Sequence, residues 1–225
     1  MEGTMRVHDL DTMPYDEAFA LQKRTVQRLQ SGGGEETLYL LEHPHVVTLG
    51  RNASAASLIA GKTLLESRGV TVVETDRGGD ATYHGPGQLV GYPIIALEPG
   101  RRDIRRYVAD VEEVLLRTLA GFSIEARRDD VHRGVWVAGR KIASVGIRIS
   151  RWVTCHGFAL NVDTDLSYFS LIHPCGISSC EMTSIRREIG RDIDMAAVKE
   201  TIVRHFSDVF GREAALAQAE AKRYG

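Results

Sequence analysis

The sequence predicts an α+β fold in which a mixed or antiparallel sheet is flanked by helices. Two long segments carry apolar residues at helical spacing, and four short, often alternating segments between residues 124 and 161 are separated by turn signals. The chain has 225 residues, of which 43% are hydrophobic and 26% charged. A chain of this size buries roughly 70% of its unfolded surface, so we expect a single domain spanning residues 1–225.

The first half of the chain begins with a predicted helix over residues 15–29, which Pro14 precedes and a run of glycines ends. Residues 37–41 and 46–49 are predicted to form a strand pair or one bent strand, interrupted at His43-Pro44. A short helix over 63–67, a strand over 70–74 and a strand over 89–97 follow, with a glycine-rich stretch between the two strands.

In the second half, Asp103 is predicted to cap a helix that Gly121 closes. The segments 124–126, 134–137, 141–149 and 154–161 predict an antiparallel meander. Two further helices are predicted over 195–210 and 212–222. No repeat or low-complexity linker divides the chain, which favours one α+β domain.

Charge and composition narrow the classes of partner. The formal net charge is -2, so no overall positive field favours nucleic acid or an anionic membrane. No apolar stretch approaches the roughly 20 residues of a membrane span, and the acidic N-terminus lacks the apolar core of a secretion signal. We expect a cytoplasmic monomer whose three cysteines are free thiols.

The densest motif is the stretch Arg77-Gly78-Gly79-Asp80-Ala81-Thr82-Tyr83-His84-Gly85-Pro86-Gly87-Gln88. Its glycines permit close approach of the backbone to a ligand. The stretch matches neither the P-loop nor the dinucleotide-binding pattern. Two interpretations remain open, a ligand-binding loop and a tight connection between strands.

Cys175 lies between Pro174 and Gly176, a setting that leaves a thiol accessible for nucleophilic attack. A lone cysteine is more commonly a small buried apolar residue, and that interpretation is favoured for Cys155 and Cys180. A zinc site is a further alternative, but the usual paired ligand spacings are missing, and we expect no metal. The residues it would draw on are Cys155, His156, His173, Cys175 and Cys180.

Lys141 begins an apolar strand of small residues. Strand alternation predicts that Lys141 shares one face with Ala143, Val145 and Ile147. A lysine on such a face would be partly desolvated and suited to act as a general base or to hold a thiolate. The alternative is a solvated lysine at a strand end. His84 and His156 are predicted to support a site through hydrogen bonds rather than to bind metal.

Four ordered motifs resemble those of the lipoyl(octanoyl) transferase family. They are residues 77–88, Lys141-Ile142-Ala143-Ser144-Val145-Gly146, His156-Gly157-Phe158-Ala159-Leu160-Asn161 and Pro174-Cys175-Gly176-Ile177. The resemblance covers roughly residues 5 to 190 and implies the fold of the biotin and lipoate protein ligase catalytic domain. Asp80 and Cys180 occupy positions that look variable.

The resemblance also implies an activity, the first step of protein lipoylation. Octanoyl would pass from octanoyl-acyl carrier protein to a lysine of the lipoyl domains of 2-oxoacid dehydrogenase E2 subunits and of the glycine-cleavage H protein. Cys175 would carry the acyl group as a thioester, Lys141 would lower the pKa of Cys175, and no ATP, metal or other cofactor would be needed. The implied acyl site consists of Arg77, Gly78, Gly79, Asp80, Ala81, Thr82, Tyr83, His84, Ser144, Val145, Gly146, Gly157, Phe158 and Ala159.

Two other functions fit the same fold, and fold alone does not choose between them. One is an ATP-dependent lipoate or biotin protein ligase, and the other is a non-catalytic module that binds an acyl or lipoyl group. A basic cluster of Arg101, Arg102, Arg105 and Arg106 is either a docking surface for an acidic carrier protein or a solvated helix face.

Overall fold

The computed structural model describes residues 3–129, 131–173 and 180–217. The helices are α1 (Tyr15–Gln30), α2 (Lys62–Ser67), α3 (Ile104–Gly121), α4 (Ile185–Ile189) and α5 (Met195–Phe210). The strands are β1 (Gly3–Thr12), β2 (Glu36–Glu42), β3 (Val46–Leu49), β4 (Thr71–Glu74), β5 (Ala81–His84), β6 (Gln88–Ile94), β7 (Arg127–Arg128), β8 (Val135–Val137), β9 (Arg140–Ser150), β10 (Val153–Asn161) and β11 (Arg212–Leu216).

The described strands form two sheets. The larger has the order β11-β1-β2-β6-β10-β9-β8-β7, and the smaller has the order β4-β3-β5. β1 pairs in parallel with both β2 and β11, and β3 pairs in parallel with β4. The other pairings are antiparallel. The prediction of an α+β fold with a mixed sheet flanked by helices is therefore confirmed.

Helices cover both faces of the larger sheet. On one face, α3 and α5 supply Val111, Leu115, Ile202 and Phe206 to the main core. On the other face, α1 places Ala18 and Leu21 in a second cluster of apolar side chains. Burial of apolar surface on both faces stabilises the layered arrangement.

Local signals predicted several elements correctly. The helices predicted over 15–29, 63–67 and 195–210 are α1, α2 and α5. Asp103 caps α3 by accepting from the backbone N–H groups of Arg105 and Arg106. β7 to β10 form the predicted antiparallel meander, although the first strand is Arg127–Arg128 rather than 124–126. Ile124 is buried in the core instead of pairing.

One of the two predictions for residues 37–41 and 46–49, a strand pair, is wrong. β2 lies between β1 and β6 in the larger sheet, whereas β3 is the central strand of the smaller one. His43 anchors the crossing between the sheets, because its Nδ1 donates to the Met13 carbonyl at 2.6 Å and its Nε2 accepts from the Tyr92 hydroxyl at 2.8 Å. The glycine-rich stretch also contains a strand, β5.

The C-terminal segment differs as well. The helix predicted over 212–222 is wrong in its described part, since Arg212–Leu216 forms β11 and pairs in parallel with β1. Gly211 ends α5 in the left-handed conformation, with φ of 62°. Residues 218–222 of that predicted helix lie outside the described residues. Across the described ranges, no helix combines the length and apolar character that a membrane span requires.

Candidate functional site

A cavity of about 430 Å³ lies against β9 and β10 of the larger sheet and against the loop that leads into β5. Its volume is within the range of small-molecule sites. Small residues of the two strands form part of its wall, and they are Ser144, Gly146, Gly157 and Ala159. These side chains leave space where larger ones would fill the cavity.

The cavity brings together three segments that are far apart in sequence. Every residue of the predicted acyl site lines it except Tyr83. Tyr83 is fully buried, and its hydroxyl is hydrogen-bonded to Nδ1 of His45 at 2.7 Å. Tyr83 lies between Thr82 and His84 on β5, so its side chain faces the other way and packs in the apolar cluster that contains Phe169 and Leu171.

Arg77 shapes the loop over the cavity. Its guanidinium is buried and donates to the Thr48 carbonyl at 2.6 Å, to the Thr48 hydroxyl and to the Gly78 carbonyl. The backbone N–H of Gly78 donates to the Ile147 carbonyl at 2.9 Å, which fixes the loop to β9. A side chain at Gly50 would lie 2.7 Å from the guanidinium, so the loop fits closely around Arg77.

Lys141 lines the same cavity with 2% of its surface exposed. The solvated alternative is therefore wrong. The ammonium nitrogen lies 5.2 Å from the centre of the Trp136 ring, a distance at which the ring face attracts a cation. The carbonyl of Glu181 accepts from the Lys141 backbone at 2.8 Å, and the Thr183 N–H donates to the Lys141 carbonyl at 2.9 Å.

The predicted face of Lys141 is also wrong. A register shift between β8 and β9 pairs Trp136 with Lys141 but Val135 with Ala143. Because neighbouring residues of β8 point to opposite faces, Lys141 and Ala143 do so too. Ala143 belongs to the core beneath α3, and Lys141 shares the cavity with Ser144 and Gly146.

Cys175 lies outside the described residues, as do Pro174 and Gly176. The described chain before it ends at His173, whose N–H donates to the Ser57 carbonyl at 2.9 Å. The described chain after it includes residues 181–183, which pair with Lys141.

The other cysteines differ in their surroundings. Cys155 is buried on β10, and burial raises the pKa of its thiol to about 11. Its thiol donates to the side-chain oxygen of Gln22 at 3.4 Å. Cys180 is half-buried, with its sulfur 3.9 Å from the sulfur of Met182. A thiol with a raised pKa is a poor nucleophile at neutral pH, which agrees with the interpretation of Cys155 as a buried apolar residue.

His84 and His156 both line the cavity and make side-chain hydrogen bonds. Nδ1 of His84 donates to the Gln88 side-chain oxygen at 2.7 Å, and Nε2 of His156 donates to Asp76 at 2.8 Å. Burial lowers the pKa of His84, and the neighbouring His43 lowers it further. Burial also lowers the pKa of His156, although its bond to Asp76 opposes this. Both imidazoles are therefore neutral hydrogen-bonding groups at neutral pH.

Sequence reasoning missed a second set of lining residues. Tyr92 and Val90 alternate on β6, and this period-two pattern is a signal that could have placed them on one face. Nothing in the sequence marks the exposed loop at 131–133. The residues missed are Tyr15, Asn52, Val90, Tyr92, Val108, Val131, His132, Arg133 and Ile147.

The basic cluster at the start of α3 is divided. Arg101 donates to the Phe210 carbonyl at 3.0 Å, and Arg102 donates to the Leu97 carbonyl at 3.3 Å and lies over the Trp152 ring. Arg105 and Arg106 are exposed. Two of the four arginine side chains thus donate hydrogen bonds to main-chain carbonyls of the same chain.

Comparison with known proteins gives a consistent result. The family described as lipoyl protein ligase A/B catalytic domain matches residues 14–207. An octanoyltransferase of Rubrobacter xylanophilus is 52% identical over 88% of this chain and 90% of its own length. An octanoyltransferase of Syntrophotalea carbinolica is 46% identical over 95% of this chain and 98% of its own length.

Solved structures with the same fold include two lipoate protein ligases. A lipoate-protein ligase A bound with ATP superimposes with a TM-score of 0.77 at 16% identity, covering 97% of this chain and 90% of that one. A bi-partite lipoate protein ligase from Thermoplasma acidophilum gives a TM-score of 0.74 at 17% identity, covering 97% of this chain and 88% of that one. At these identities the similarity shows the fold alone.

Proposed function

This chain belongs to the lipoyl protein ligase A/B catalytic domain family and is an octanoyltransferase, and we propose that it carries the octanoyl group on Cys175 between donor and acceptor. The observation that carries the activity is the 52% identity to an octanoyltransferase over 88% of the chain. The cavity supports it, because one small-residue wall and one buried lysine suit an acyl chain with its reacting carbonyl at one end.

Lys141 is the proposed acid and base. It lines the cavity, it is buried, and its backbone pairs with residues 181–183, the segment that follows Cys175 in the chain. A lysine in this position can take the proton of a nearby thiol and hold the resulting thiolate as an ion pair.

The first half-reaction acylates the enzyme. The Cys175 thiolate attacks the carbonyl carbon of the donor thioester, so that a new carbon–sulfur bond forms and the bond to the donor sulfur breaks. The departing thiolate takes the proton from the Lys141 ammonium. The products are a free donor thiol, an octanoyl thioester on Cys175 and a neutral Lys141.

The second half-reaction transfers the acyl group. The neutral amine of an acceptor lysine attacks the thioester, the carbon–nitrogen bond forms, and the Cys175 sulfur leaves as a thiolate. Lys141 accepts the proton that the amine loses, which restores the starting ion pair. An amide replaces a thioester, so no ATP is needed to drive the step.

The donor and acceptors follow from the same proposal. Octanoyl-acyl carrier protein is the proposed donor. The proposed acceptors are the lipoyl domains of 2-oxoacid dehydrogenase E2 subunits and the glycine-cleavage H protein. The proposed location is the cytoplasm, because a nucleophilic thiol needs a compartment in which it stays reduced. The proposed oligomeric state is a monomer.

The test is transfer of octanoyl from purified octanoyl-acyl carrier protein to a purified lipoyl domain, measured with and without ATP. We expect equal rates in both conditions, loss of transfer in Cys175→Ala and at least a hundredfold slower transfer in Lys141→Ala, on the order of a lost general base. Cys155→Ala is the matched control for thiol removal and keeps its activity. Transfer that requires ATP would instead assign the chain to the ligases.

A further inference from the structure

Three buried side chains connect the cavity to the main chain beside Lys141. Nδ1 of His84 donates to the side-chain oxygen of Gln88 at 2.7 Å. The amide nitrogen of Gln88 donates to the side-chain oxygen of Asn161 at 2.9 Å, and the amide nitrogen of Asn161 donates to the Thr183 carbonyl at 3.0 Å. We refer to His84, Gln88 and Asn161 as the amide relay.

The direction of every bond in the amide relay is fixed. Carbonyl oxygens only accept hydrogen bonds, and the Gln88 amide nitrogen also donates to the Tyr83 carbonyl at 3.1 Å. The Tyr83 and Thr183 carbonyls therefore determine which way both amides point. The oxygen of Gln88 must then face His84, which places the proton of that imidazole on Nδ1.

The far end of the amide relay meets the backbone of Lys141. Thr183, which accepts from Asn161, donates its own N–H to the Lys141 carbonyl at 2.9 Å. The Thr183 hydroxyl is hydrogen-bonded to Glu188, and Glu188 accepts two bonds of 3.0 Å from Arg140. Thr183 is thus held by its carbonyl, its N–H and its side chain, and it holds Lys141 in turn.

We propose that the amide relay positions Lys141 for proton transfer by fixing residues 181–183 against it. The inference rests on the proposed function, in which Lys141 is the acid and base. Gln88 and Asn161 are positioning residues, since each is 1% exposed and neither lines the cavity. A misplacement of about 1 Å in a reacting group slows catalysis by on the order of a hundredfold, so such distant support affects the rate.

Removing one member breaks the amide relay at a known place. Asn161→Ala leaves the buried Thr183 carbonyl without its donor and the Gln88 nitrogen without its acceptor. Asn161→Asp keeps the side-chain volume but sets a carboxylate oxygen against the Thr183 carbonyl. Gln88→Glu likewise sets a carboxylate oxygen against the side-chain oxygen of Asn161. We expect each to lower kcat by about tenfold or more, with KM for the octanoyl carrier changed by less than about twofold because no cavity contact is lost.

A pH profile separates positioning from general loss of structure. If Lys141 is displaced, the Cys175 thiolate loses its partner, and the rate of alkylation by iodoacetamide should rise only at higher pH than in the wild type. Thr118→Val is the matched control. The Thr118 hydroxyl is fully buried and donates to the Val114 carbonyl at 2.8 Å within α3. Removing this hydroxyl should lower the free energy of unfolding by about as much as the relay substitutions do. It should leave kcat and the alkylation profile unchanged.

The experiment compares five full-length proteins, namely the wild type, Asn161→Ala, Asn161→Asp, Gln88→Glu and Thr118→Val. Each is measured by transfer kinetics, by thermal unfolding and by the rate of alkylation from pH 6 to 10, roughly the range in which thiols titrate. A folded relay variant with the kcat and pH profile of the wild type overturns the inference, as does an equal shift in Thr118→Val. A wild type that transfers no octanoyl overturns the proposed function itself, whereas an active wild type with unaffected relay variants overturns only the role of the relay.

Discussion

Gly134 provides the space that the side chain of Lys141 fills. A Cβ atom at position 134 would lie 2.8 Å from the Cε atom of Lys141 and 2.3 Å from the Ala143 carbonyl oxygen. Gly134 also has φ of 114°, a conformation that other residues rarely adopt. Its N–H donates to the buried Glu112 carboxylate at 2.9 Å, which fixes the backbone in place. The position of the lysine thus depends on a glycine seven residues earlier in the chain.

Gly134→Ala should therefore displace Lys141 and lower kcat by about a hundredfold. The measurement is the transfer rate at saturating octanoyl carrier. Gly139→Ala is the matched control, since Gly139 also has a positive φ of 83°. Gly139 lies in an exposed turn, where a Cβ atom added to it would meet nothing within 4 Å. Both variants carry backbone strain, but only Gly134→Ala should slow transfer. Equal activity of the two variants would contradict the steric role of Gly134.

Arg77→Lys should raise KM for the octanoyl carrier by about tenfold or more, because an ammonium cannot make the forked contacts that hold the loop. Three acceptors, the Thr48 carbonyl, the Thr48 hydroxyl and the Gly78 carbonyl, share that guanidinium. Steady-state kinetics would measure the change, with Arg51→Lys as a control at a nearby exposed arginine. An unchanged KM in Arg77→Lys would remove the loop from acyl binding.

Arg105→Glu combined with Arg106→Glu tests the docking hypothesis for the basic cluster. Both side chains are exposed, whereas Arg101 and Arg102 contact main-chain carbonyls. If the exposed pair docks an acidic carrier, the double variant should weaken carrier binding by about tenfold at low salt and by less at high salt. Arg28→Glu, on α1 across the sheet, is the control. Equal binding by both variants at low salt would leave the pair a solvated helix face.

The stability of the protein should fall as the pH falls from about 6.5 to 4. Burial lowers the pKa of His43 to about 4, whereas an unfolded histidine titrates near 6.5. Over that window the unfolded state binds a proton that the folded state does not, so protonation favours unfolding. Urea unfolding at pH 7, 6 and 5, which spans roughly that window, measures the free energy of unfolding. This free energy should change less with pH in His43→Asn than in the wild type. Identical slopes would show that His43 does not carry the effect.

Local patterns predicted α1, α3, α5 and the meander, because caps and apolar periodicity lie within each segment. They failed where structure depends on distant partners. β11 forms because β1 offers it an edge, and Lys141 faces the cavity because one extra residue in β9 changes the alternation. The pairing of Lys141 with residues 181–183 joins segments about 40 residues apart in the chain, a contact that spacing alone cannot reveal.

The same limit applies to the cavity. All residues of the predicted acyl site except Tyr83 line the cavity, since glycines and small residues in ordered motifs mark a ligand site. Tyr83 was included because the motif is contiguous, and strand alternation turns it away. The loop at 131–133 was missed because its residues, such as the exposed Val131, carry no pattern that predicts a site.

The most direct test of the central claim is the mass of the peptide that contains Cys175, taken after incubation with octanoyl-acyl carrier protein and again after addition of a lipoyl domain. We predict one octanoyl group on that peptide in the first sample, removable by hydroxylamine as a thioester. In the second sample it should have moved to a lysine of the lipoyl domain. Octanoylated lipoyl domain formed with no acyl group ever detected on Cys175, or formed equally by Cys175→Ala, would contradict the account.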